Sequence, residues 1–224
     1  MTLVILLVDE LRHYLRSRLV LIVLASLPFL TAAGSLAQSG EDAHTLVFAA
    51  FMGASLAGMV CGAMVCTTLV AELQLGTPVL FAIRPLPRLH LLLARFLAMV
   101  ATLCAAMAVA LSVGAALSAW LHPEAAGVVS IFRAGLLLSF ACAVLSGSFG
   151  VLVGVTVSSM LGAVLLFLLV AMQLSNAVIF VYEGLCRWTS CTAGLRDAYI
   201  LAGAVLIASA LMAISGRIFS RRPL

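Results

Sequence analysis

Six stretches of this chain, at about 19–37, 46–71, 91–119, 131–156, 160–181 and 198–216, are long and apolar enough to cross a bilayer. No other feature constrains the fold as strongly. A helix needs about 20 residues to traverse a hydrocarbon core about 30 Å thick. Inside that core only helices and closed barrels can satisfy their own backbone groups. Arg95 and Arg133, each near the start of its stretch, are the only charged residues within the six. Charged residues make up 9% of the 224 positions, whereas a soluble domain carries about 25% to face water. The pattern predicts an all-α polytopic membrane protein with six transmembrane helices in one domain over 1–224. No internal repeat, low-complexity tract or long linker divides it.

Arginine placement sets the orientation, because cytoplasmic segments are enriched in basic residues. With six spans both termini share a side. That side carries Arg12, Arg16, Arg18, Arg84, Arg88, Arg95, Arg217, Arg221 and Arg222. The other carries Arg133, Arg187 and Arg196 with most of the acids, namely Glu41, Asp42, Glu124, Glu183 and Asp197. Nine against three puts both termini in the cytoplasm. The segment after Arg18 has the apolar run of a signal peptide. Its basic flank is too long, though, and it contains Asp9 and Glu10. Residues 1–18 read instead as an amphipathic interfacial helix. Leu3, Leu7, Leu11, Tyr14 and Leu15 lie at helical spacing opposite Asp9, Arg12 and Arg16.

All 12 basic residues are arginine. Without lysine the chain cannot hold a P-loop or form a Schiff base. The net charge of +4 follows the topology and is no nucleic-acid signal. His13, His44, His90 and His122 fall in loops or at interfaces, and none has a second His or a carboxylate at i+3 or i+4, which argues against a metal site. Ser146-Gly147-Ser148-Phe149-Gly150 has no intramembrane base to activate a serine, so its small residues read as close helix packing. No catalytic residue is assigned. No buried carboxylate chain offers a proton or sodium relay. Gln173, Ser175 and Asn176 form the most polar intramembrane cluster. They read either as interhelical hydrogen bonding or as part of a substrate path. Cys61, Cys66, Cys104 and Cys142 read as apolar fillers. Cys186 and Cys191 flank the last outer loop, where a disulfide is permitted.

The segment between the second and third stretches carries the most information. It runs Glu72, Gly76-Thr77-Pro78, Val79-Leu80-Phe81-Ala82-Ile83, then Arg84-Pro85-Leu86-Pro87-Arg88. Gly76 suits a helix end. Thr77 suits an N-cap and Pro78 a first helical position. Pro85 disfavours helix at Arg84. The pattern predicts a short cytosolic helix with an apolar side that needs cover from lipid or a partner.

This run resembles the first cytoplasmic loop of ABC type-2 transporter permeases, in which Glu, Gly-Thr, an apolar stretch, Pro and Arg follow in that order. Glu72, Gly76, Thr77, Val79, Leu80, Ile83, Pro85 and Arg88 supply the pattern, with Arg84 beside Pro85. Pro78 departs from it, as does Arg95 where the family often has Lys. Pro85-Leu86-Pro87 is also similar to the haem-exporter permeases of cytochrome c maturation. The resemblance implies an exporter subunit of the plasma membrane, in bacteria the inner membrane, whose loop helix docks on a separate ATPase subunit. ATP and Mg would be held by that subunit, with no cofactor on this chain. A second permease copy, or a homologous permease, would complete the path. Two rivals stand beside this reading: a substrate-capture subunit of a vitamin importer and a membrane-embedded enzyme.

Two outcomes follow from these assignments. In a cysteine-free background, Arg221→Cys should resist an impermeant thiol reagent in intact cells and react after lysis. Cys186 and Cys191 should appear as a disulfide-linked pair by mass spectrometry of non-reduced protein, and recovering both as free thiols would refute the bond.

Overall fold

The computed structural model describes residues 2–16, 21–22, 25–29, 44–74, 88–121, 128–188 and 193–221. Apart from 157–159 these are all helical. The principal helices are α1 (Thr2–Arg16), α2 (His44–Gln74), α3 (Arg88–Leu121), α4 (Val128–Thr156), α5 (Met160–Trp188) and α6 (Ala193–Arg221). Among the described residues four helices are long and apolar enough to cross a membrane: Leu92–Leu117 in α3, Phe132–Thr156 in α4, Met160–Leu185 in α5 and Leu195–Arg221 in α6. In α2, Gly58–Gln74 is a shorter apolar run. The expected stretch 19–37 falls mostly outside the described residues, with helix at 21–22 and 25–29.

The helices overrun the apolar stretches that predict them. Apolarity marks the part that hydrocarbon tolerates, whereas a helix continues while its own carbonyls are satisfied. Thus α5 runs on past Glu183 to Trp188. The break at 157–159 matches the Ser158-Ser159 interruption. There Ser159 accepts the Gly162 amide on its Oγ at 3.4 Å and caps α5.

From α2 to α6 successive helices run antiparallel, so one end of the bundle gathers the end of α2, the start of α3, the α4–α5 break and the end of α6. Gln74 Nε2 donates to the Ser158 carbonyl at 2.8 Å. Glu72 meets Arg95, and Gly216 faces Leu89. The opposite end joins α4 to α6 through Arg133 Nη2 and Asp197 Oδ2 at 2.9 Å.

Helix α4 is the axis. Of its membrane-length window 72% is buried, against 17% in α5. Lipid is as apolar as leucine, so close van der Waals approach rather than water exclusion must hold such helices together. The approach is closest between α2 and α4, along Gly58 and Gly62 on one helix and Cys142, Ser146, Gly150 and Gly154 on the other, spaced four residues apart. A Cβ on Gly150 would lie 2.8 Å from the Gly62 Cα, and one on Gly62 would strike Phe167 and the Ser146 carbonyl. The small-residue reading of 146–150 therefore names one side of this seam. Several hydroxyls in the bundle bond within their own helix, as Ser139 Oγ does to the Gly135 carbonyl at 2.6 Å and Thr102 Oγ1 to the Ala98 carbonyl at 2.7 Å.

Gly150→Ala should force the α2 and α4 backbones apart and cost about 1–3 kcal/mol, as overpacking generally does. Gly203→Ala meets open space and should leave the thermal unfolding temperature in detergent nearly unchanged.

Candidate functional site

The end of the bundle beside the 75–87 segment is built around Arg95. Its guanidinium is almost wholly enclosed, with 7% of the side chain exposed. An uncompensated charge there would cost far more than the fold could offset, so it must be paired. Nε donates to Glu10 Oε1 at 2.9 Å and Nη1 bonds Glu72 Oε2. The three residues come from α1, α2 and α3, so one cation joins three helices.

Apolar packing surrounds the triad. Leu7, Leu11 and Tyr14 of α1 pack into the cluster that holds Leu69, Leu92, Phe96 and Phe219. The stripe expected to lie on lipid thus faces protein over Leu7, Leu11 and Tyr14, while Asp9, Arg12 and Arg16 are exposed as the amphipathic pattern requires. The side chains of Leu3 and Leu15 lie outside the described residues. Val4, Ile5 and Val8 form a second, exposed apolar strip on α1. Tyr14, next to Thr68, has its phenol pushed up to about 12, first by burial and then by the Glu10 charge.

The residues singled out from sequence part company here. Glu72 sits in the triad. Gly76, Thr77, Val79, Leu80, Ile83, Arg84 and Pro85 lie outside the described residues, and Arg88 opens α3 with its side chain likewise outside them. On α5, Ser175 turns inward beside the Cys142 thiol, whereas Gln173 and Asn176 are exposed. Helical geometry separates them: positions 173 and 176 share a face and 175 points away. Cys186 is in the last turn of α5 with its side chain outside the described residues, and Cys191 lies outside the described residues altogether.

Glu10 and Tyr14 were not singled out as site residues. The signal was present, because Glu10 falls on the stripe through Leu3, Leu7 and Tyr14, where an acid needs a buried partner. Among the described residues no three metal-ligand side chains cluster. Comparison with known protein families and with curated proteins gives no match.

Arg95→Gln should leave two carboxylates without their cation and cost about 3–5 kcal/mol, the usual penalty for breaking a buried pair. Adding Glu10→Gln and Glu72→Gln should recover part of that loss in thermal unfolding, a coupling that independent sites would not give. Tyr14 adds an alkaline dependence. Its folded pKa lies above its unfolded value of 10.0, so its contribution is complete below pH 10 and falls as pH rises to about 12. Tyr14→Phe should flatten the loss of unfolding temperature in that window.

Proposed function

We propose that this chain is the permease subunit of an ATP-binding cassette exporter, coupled to a separate ATPase subunit through residues 77–84. The observation that carries this reading is the contact between Glu72 and Arg95. Glu72 opens the Glu…Gly-Thr…Pro…Arg run, and its partner lies just beyond the far end of that run. The segment between α2 and α3 is therefore flanked at its base by an ion pair whose arginine is enclosed and whose carboxylate is partly exposed. A displacement of 77–84 passes to both helices at once, and through Glu10 to α1.

Six spans complete this architecture, with 19–37 and α2 added to α3–α6. Helix α1 lies at the cytoplasmic interface, its Val4, Ile5 and Val8 in the acyl boundary. The antiparallel bundle supports inside termini, since Arg12, Arg16, Arg95, Arg217 and Arg221 gather at the triad end and Arg133 and Arg196 at the other. Gln173 and Asn176 sit among Leu169, Met172 and Phe180 on the exposed face of α5. Amides facing lipid lack partners, so this face is assigned to a path shared with a second permease. ATP and Mg belong to the partner.

Leu80→Asp with Ile83→Asp should abolish co-purification of the ATPase subunit and leave membrane insertion intact. Each apolar side chain would contribute about 1.5–3 kcal/mol when buried in the partner's groove. Unchanged co-purification would remove 77–84 as the coupling element.

A further inference from the structure

An apolar groove of about 490 Å³ opens between α5 and α6 over a floor supplied by α4. That volume lies inside the range of about 300–1,000 Å³ typical of small-molecule sites. Phe149 lies on the floor, Val178 and Val181 on one wall, and Gly203 and Ile207 on the other. Tyr199 brings the one hydroxyl among the lining side chains. Val181 and Ile207 are half exposed, so the groove faces whatever surrounds the bundle. Both walls belong to helices of membrane length.

The groove ends at a charged cluster. On α6, Arg196 precedes Ile200, Gly203 and Ile207 on the same helical stripe, one turn above the lining. Its guanidinium stacks 4.6 Å over the ring of Tyr182, next to Val181. Arg133 of α4 reaches Asp197 at 2.9 Å, and Arg196 Nε lies 3.6 Å from the other oxygen of the same carboxylate. Arg133 and Arg196 are thus brought together on Asp197. Glu183 lies on the face of α5 opposite Leu174, Ala177, Val178 and Val181. Arginine forks bind phosphate well.

We propose that this groove binds a membrane phospholipid, one acyl chain between α5 and α6 and the phosphate on Arg133 and Arg196. The assignment stands independently of the transporter reading. It joins an apolar slot of membrane depth to a pair of arginines at its end, and a phospholipid has both parts in that order.

Native mass spectrometry of the delipidated full chain tests it, with phosphatidylglycerol and with diacylglycerol of the same acyl chains as probes. The wild type should retain a single phosphatidylglycerol and hold diacylglycerol less well by roughly tenfold, the scale of lost bonds to a charged group. Arg133→Gln with Arg196→Gln should bring phosphatidylglycerol down to the diacylglycerol level without changing retention of the latter. Gly203→Leu places its side chain in open space and should displace both lipids, while Leu206→Phe on the neighbouring exposed face should displace neither. Wild-type retention by Gly203→Leu, or a surviving preference for phosphatidylglycerol in the double glutamine variant, would overturn the site. So would a Gly203→Leu variant that alters only association between two copies of the chain.

Discussion

Arg95 carries a charge into a place that water scarcely reaches, and the arrangement of three helices follows from answering it. One carboxylate would satisfy the charge, but the fork of a guanidinium offers donors in more than one direction. Glu72 takes Nη1 and Glu10 takes Nε. Because these acids come from α2 and α1, neither helix can shift along α3 without exposing an ion. Such a triad adds little net stability over an apolar replacement. What it supplies is registry, which the proposed coupling through 77–84 would require.

The rest of the bundle is graded around that fixed point. At the α2–α4 seam, glycines let two backbones meet where hydrophobic exclusion gives no help. Away from the seam, α5 and α6 lean on α4 more than on each other, which leaves the groove between them. Their outer faces keep leucine, isoleucine and valine exposed, a surface that lipid or a second subunit must cover.

Much of this was legible from residue order. The absence of charge over long runs locates helices α3 to α6, and the Ser158-Ser159 interruption locates the turn between α4 and α5. Helix ends were less legible, because hydropathy reports the hydrocarbon boundary and not the last backbone bond. The seam was visible on α4 alone. Gly58 and Gly62 sit in a run of small residues on α2 that reads equally as a lipid-facing stretch, and only contact picks out the partner face. The triad was the hardest to see. Arg95 and Glu72 were each conspicuous, but their pairing spans the 75–87 segment, and Glu10 is far away in sequence. Gln173, Ser175 and Asn176 looked like one cluster in the sequence, yet helical rotation places Ser175 inside and its neighbours outside.

Hydrogen exchange on the full chain, alone and in complex with the proposed ATP-binding subunit, tests the central claim most directly. If the segment above the Glu72–Arg95 pair is the coupling element, protection on complex formation should appear over residues 77–84 and fade within a turn of α2 and α3. Protection confined to other cytoplasmic segments, with 77–84 exchanging at the same rate in both states, would contradict the account.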